Sequence, residues 1–204
     1  VGQLKDYSEL IMTDRNFILN KHFKEHFEVH RKTLEILEKK IISISELICD
    51  SLSDKKKLIW CGNGGSAADA MHLSGEFIGR YIKNRKALKS ICISSDSSSL
   101  TCISNDFGYE NVFSRQVEGI GEKGDILICL STSGNSQNII SALNAANELN
   151  LNTIAFLGKN GGKCKGISKQ ELIIPSETTA RIQEMHILIG HAICDIVEKK
   201  LNLI

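Results

Sequence analysis

The apolar positions divide the chain into a helical front and an alternating remainder. From Leu34 onward, Leu34, Leu37, Ile41, Ile44 and Ile48 step by three or four, the spacing that gathers side chains on one face of a helix. A less regular helical pattern precedes them over 7–20, and no strand signal occurs before residue 54. The expectation for 1–54 is a pair of helices outside any β/α series, suited to packing against another subunit. Beyond Lys55-Lys-Lys57 the pattern changes. Runs at 58–61, 88–94, 126–130, 153–157 and 172–174 read as strands, separated by helical stretches over 67–81, 98–105, 111–119 and 137–150 and followed by a long helix from Thr178. Ile126 to Leu130 is apolar without alternation, as a parallel strand covered on both faces should be. The prediction for 55–204 is one α/β domain with about five parallel strands. Pro175, the only proline, closes the last strand just before the terminal helix, where a missing N–H is tolerated.

Composition narrows the class without naming a function. At 204 residues and 42% hydrophobic content the chain is long enough for one such domain with a helical appendage. Its 25 basic and 24 acidic residues are interspersed and sum to +1, so neither a nucleic-acid footprint nor a membrane-surface patch stands out. Nowhere do eighteen apolar residues run together, and the first thirty residues hold no export-like segment. Seven cysteines without CxxC spacing read as small core residues of a reducing compartment, and the cytoplasm is the expected location.

Two turns carry candidate chemistry. The strand at 126–130 runs directly into Ser131-Thr-Ser-Gly-Asn-Ser136 and then into a helix. The carboxyl end of a strand beside a helix start offers unpaired N–H groups and a favourable dipole to an anion, and Ser131, Thr132, Ser133 and Ser136 add hydroxyls. No lysine falls within the turn, so it is not a nucleotide P-loop, and a phosphomonoester suits it better. Taken alone, a Ser-rich helix cap explains the turn equally well. Cys61-Gly-Asn-Gly-Gly-Ser66 repeats the logic, with Asn63, Gly64, Gly65 and Ser66 between a strand and a helix. On the helix that follows, His72 and Glu76 lie four apart on one face, a spacing for metal ligation or acid–base work that is also common in surface pairs. The terminal helix carries Gln183 and His191 in an otherwise apolar segment, and polar groups headed for a core need partners. Both could meet His72 and Glu76 around one ion or substrate, although eight residues of helix span about 12 Å. His186 reads as a packing or interface histidine.

These residues place the chain in a recognisable pattern. Cys61-Gly-Asn-Gly-Gly-Ser66, Ala70-Met-His-Leu-Ser-Gly-Glu-Phe-Ile-Gly-Arg-Tyr81, Ser104-Asn-Asp-Phe-Gly108, Phe113-Ser-Arg-Gln-Val-Glu118, the serine turn and Ala180-Arg-Ile-Gln-Glu-Met-His186 resemble the phosphoheptose isomerases, sugar-isomerase (SIS) domain enzymes, over about 30–200. The resemblance implies a three-layer sandwich, a homotetramer with sites between subunits, and one zinc ion held by His72, Glu76, Gln183 and His191. It implies phosphate on the serine turn, sugar contacts from Asn63 to Gly65, Asn105 and Asp106, and Arg80 as a nearby basic residue. Ala180 departs from members that carry Asp before the arginine.

The activity so implied converts sedoheptulose 7-phosphate to D-glycero-D-manno-heptose 7-phosphate, an early step towards nucleotide-activated heptose for lipopolysaccharide or capsule. Moving a proton between C1 and C2 needs a base, for which Glu76 is the candidate, and an acid at the oxygens, for which His191 is the candidate. A rival class keeps both phosphate turns but binds a replication-initiation partner without catalysis. Its members typically lack the counterparts of Glu76 and His191, which this chain retains. Isomerisation of another phosphosugar on the same fold is the third reading.

Overall fold

The computed structural model describes residues 6–203, with side-chain environments from Arg15 onward; Val1, whose role the sequence leaves open, lies outside the described residues. Helix α1 (Asp6–Ser53) is followed by β1 (Leu58–Gly62), α2 (Gly65–Ile78), β2 (Ser90–Cys92), α3 (Ser97–Phe107) and α4 (Ser114–Ile120). Then come β3 (Ile126–Ser131), α5 (Gln137–Glu148), β4 (Asn152–Leu157), β5 (Gln170–Ile173) and α6 (Thr179–Lys200). All strands pair in parallel in the order β2-β1-β3-β4-β5.

The continuous apolar runs are explained by cover on both faces. Leu58, Trp60, Ile126, Ile128, Leu130, Ile154 and Phe156 point into one core with α1, α2 and α6. Ile59, Cys61, Leu127, Cys129, Ala155 and Leu157 alternate onto the opposite core with α4 and α5. The result is the expected three-layer α/β/α sandwich. The front differs from expectation in one respect: 7–20 and 34–48 belong to a single helix of 48 residues. From Arg15 to Lys24 every residue is exposed, so the irregular apolar spacing there reflects exposure rather than a break. Val29, Leu37, Ile44 and Ile48 are buried in the domain core, whereas Phe17, Phe23 and Phe27 stand out from it.

Polar anchors hold the layers in register. The Asp125 carboxylate, 1% exposed, accepts the Lys57 and Glu122 backbone N–H groups at 2.9 and 2.8 Å and pairs with Lys57 Nζ at 2.6 Å. The basic run before β1 therefore supplies a tie between the starts of the two central strands. Near the amino end of α6, buried Arg181 pairs with Glu184 and with Glu25, and donates to the His22 carbonyl at 3.0 Å, while His26 Nδ1 lies 2.7 Å from Glu184. Burial opposes ionisation of Glu184, but the hydrogen bonds from Arg181 and His26 outweigh it and hold its carboxyl below the usual range.

His186 is wholly buried, with Nε2 3.1 Å from the Leu157 carbonyl and Nδ1 without a partner among the described residues. Protonation would bury a charge and an unmatched donor, so burial pulls its pKa down to about 4 despite the backbone hydrogen bond. Between that value and the ordinary 6.5 the unfolded chain binds more protons than the folded one. Folding stability on the order of 3 kcal/mol should therefore be complete above about pH 6.5 and disappear progressively as pH falls towards 4. Urea unfolding across that range should show this slope in the wild type and a much flatter one in His186→Gln.

Candidate functional site

The strand order sets where a ligand can sit. From β1 the chain moves outward to β2 on one side, and from β3 it moves outward to β4 and β5 on the other, so the connections diverge between the carboxyl ends of β1 and β3. Such a switch point leaves a crevice. Both turns singled out in the sequence border it, because Gly62 pairs directly with Leu130.

The serine turn is held from below and from behind. Ser131 Oγ accepts the Gly134 N–H at 3.1 Å, and Ser133 Oγ accepts the Asn135 N–H at 3.2 Å. Gly134 adopts φ +62, and a β-carbon there would overlap the Gly161 carbonyl oxygen. That second loop also donates the Lys163 and Cys164 N–H groups to Asn135 Oδ1 and the Gly134 carbonyl, at 3.1 and 2.8 Å. Ser136 occupies the cap position of α5 without a side-chain capping bond, which leaves its hydroxyl for another acceptor or donor. Thr132 and Ser133 are half-buried. A compact oxyanion suits this arrangement of hydroxyls at a helix start.

Across the crevice, Asn63 is already engaged. Its amide exchanges two hydrogen bonds with Asn138, at 2.9 and 3.0 Å, and its Oδ1 also accepts the Tyr109 hydroxyl at 2.9 Å. Asn63 is thus a link between both turns and the segment after α3. Tyr109 and Asn138 were missed in the sequence, Asn138 because the first turn of a helix looked like ordinary capping. Gly64 and Gly65 are exposed, Ser66 is buried, and α6 approaches so closely that a β-carbon on Gly65 would overlap the Gln183 amide nitrogen. Asn105 donates to Asp106 Oδ1 at 2.7 Å at the exposed end of α3, and Arg80 is exposed with a bond to the Ile82 carbonyl at 3.2 Å.

Lower on the same pair of helices, three titratable side chains converge. His72 Nε2 lies 3.2 Å from Glu76 Oε1 and 3.0 Å from His191 Nε2, and one ligand atom from each of the three falls within 4.8 Å of the others. The two imidazoles meet edge to face at 5.0 Å, and Tyr81 stacks on His191 at 5.4 Å and 19°. Nitrogen and carboxylate donors at such separations fit one cation with bonds of about 2 Å. Gln183 sits instead at the level of Gly65, as the helical rise between it and His191 foretold. Asp69, one turn before His72, was also missed. Its Oδ2 is buried without a partner among the described residues, and burial raises its pKa against the opposing pull of His72.

The fold is a doubly wound α/β class with its crevice at a switch point, and the SIS domain family matches residues 21–158, so the chain is a SIS-domain protein. It is 47% identical over 182 residues to a phosphoheptose isomerase of Helicobacter pylori (strain P12), covering 89% of this chain and 95% of that one. The structure of phosphoheptose isomerase from Neisseria gonorrhoeae superposes with TM-score 0.85 at 39% identity, over 90% of this chain and 98% of that chain. One from Francisella tularensis gives TM-score 0.88 at 31% identity, over 91% and 98%. The chain belongs to the phosphoheptose isomerase family.

The packing of Gly134 on Gly161 makes a specific demand. Gly134→Ala should disturb the serine turn and lower stability by about 2 kcal/mol or more, roughly 4–8 °C in Tm. Differential scanning calorimetry checks the shift, and the KM for a phosphosugar should rise with it.

Proposed function

We propose that this chain is an aldose–ketose isomerase that interconverts sedoheptulose 7-phosphate and D-glycero-D-manno-heptose 7-phosphate. The observation that carries the reading is a carboxylate and two imidazoles on α2 and α6 beside a switch-point crevice that ends in a hydroxyl-rich turn. The family membership supplies the substrate. In this reading Ser131, Thr132, Ser133 and Ser136 hold the phosphate, with Ser66 and the Asn63–Gly65 backbone lining the sugar. Asn105, Asp106 and Arg80 contribute polar contacts from the rim.

Glu76 takes the proton from C1 of the ketose as the carbonyl oxygen at C2 is protonated by His191, leaving an enediol. Returning the proton from Glu76 to C2 on the same face while the C1 hydroxyl gives its proton back to His191 yields the aldose and restores both groups. His72, Glu76 and His191 would hold a zinc ion, with Gln183 as a fourth donor if its side chain turns down the helix, or as a sugar contact where it lies. When bound, the ion supplies Lewis-acid polarisation of the substrate oxygens. Glu76 keeps one oxygen for the proton only if it binds through the other.

The assembly belongs to the same reading. Phe23, Phe27 and Leu34 lie along one face of α1 at 58%, 66% and 53% exposure, a stripe too apolar to be left in water. Packing this stripe against other copies, in a homotetramer, covers it. Light scattering should give a tetramer, and Phe27→Asp should shift it to smaller species; a wild-type monomer at micromolar concentration contradicts this.

The central test supplies sedoheptulose 7-phosphate in D2O and follows the C1 and C2 protons by NMR. Product carrying solvent deuterium is expected, and Glu76→Gln should lower turnover by about 10²-fold or more while leaving substrate binding. A chelator should abolish activity reversibly. Turnover of a five- or six-carbon phosphosugar with none of the heptose would overturn the substrate assignment.

A further inference from the structure

A buried ion pair outside the reacting cluster touches both helices that build it and the segment after α2 that carries Tyr81. Arg85 and Glu198 are 2% and 1% exposed and meet at 2.5 Å. The remaining guanidinium donors do not face solvent. They go to the carbonyls of Glu76 at 2.6 Å, Phe77 at 2.8 Å, Gly79 at 3.3 Å and Lys86 at 3.1 Å. Arg85 therefore satisfies the carbonyls left over at the carboxyl end of α2, the turn that carries Glu76. Glu198 lies two turns beyond His191 on α6 and accepts the backbone N–H groups of Tyr81 and Ile82 at 3.0 and 3.3 Å. Burial opposes its ionisation, but those N–H groups and Arg85 outweigh it and keep the carboxyl below its usual range.

The consequence falls on Tyr81. Its backbone is pinned by Glu198, and its ring lies nearly parallel to the His191 imidazole at 5.4 Å, while His72 meets that imidazole through its Nε2 edge at 3.0 Å. Resting on the zinc reading above, we propose that Tyr81, fixed by the Arg85–Glu198 pair, is a positioning residue that holds the His191 ring in its orientation towards His72 and Glu76. The aromatic ring, not the phenol hydroxyl, is the acting group. Residues behind metal-binding histidines commonly alter affinity by 10- to 100-fold because they remove the cost of orienting the ligand.

The test compares Tyr81→Ala with Tyr81→Phe in the full chain. Zinc affinity, measured by competition with a chelating dye, should weaken roughly 10- to 100-fold in Tyr81→Ala and stay within about threefold of wild type in Tyr81→Phe. A second readout needs no metal: with the protein stripped of zinc, carbethoxylation of His191 followed by mass spectrometry should be several-fold faster in Tyr81→Ala and unchanged in Tyr81→Phe. In turnover, kcat should fall with little change in KM for the phosphosugar, because the serine turn is untouched. Unchanged His191 reactivity in Tyr81→Ala overturns the proposal, as does a Tyr81→Phe variant as impaired as Tyr81→Ala. If the wild type binds no zinc while His191 reactivity responds as expected, the zinc reading fails and the positioning role stands.

Discussion

Parallel pairing of β1 with β3 is the constraint on which the remaining geometry depends. Five residue pairs, from Leu58 with Ile126 to Gly62 with Leu130, place two strand ends at the same height. Parallel strands need crossover connections, and those crossovers diverge here, so the two turns cannot pack over each other and a crevice remains. Asp125 guards the register from the opposite end of the strands, where a slip would strand a buried carboxylate. Hydroxyls and free N–H groups at the crevice then follow from the residues each turn happens to contain.

The helices translate that register into chemistry at a second height. Helices α2 and α6 both start at the crevice end of the sheet and run away from it, so residues at comparable distances from their starts face each other. Gly65 meets Gln183 at the top, and His72 meets His191 about two turns lower. Within that pair, His72 finds a partner on each helix, Glu76 one turn along α2 and His191 across on α6.

This explains what could be read from the chain and what could not. The strands, the two turns and the one-sided placement of His72 and Glu76 are local patterns, visible as apolar runs, glycines and a four-residue spacing. The continuity of α1 was not visible, because from Arg15 to Lys24 no buried face imposes a period: Phe17 and Phe23 are 68% and 58% exposed. Tyr109, Asn138 and Tyr81 were also out of reach as site residues. Their importance comes from contacts with Asn63 and His191, 46, 75 and 110 positions away in sequence, which only the packed sheet and helices create. The separation between Gln183 and His191 could be read in advance, since it follows from helical rise alone.

The two heights are held by different groups. The serine turn is braced by the loop at Gly161 and Gly162 and by its own hydroxyls. The His72, Glu76 and His191 cluster is braced by Arg85, Glu198 and Tyr81. In the proposed reading, a substrate fixed by its phosphate at one height and reacting at the other would convert binding at a remote group into orientation at C1 and C2.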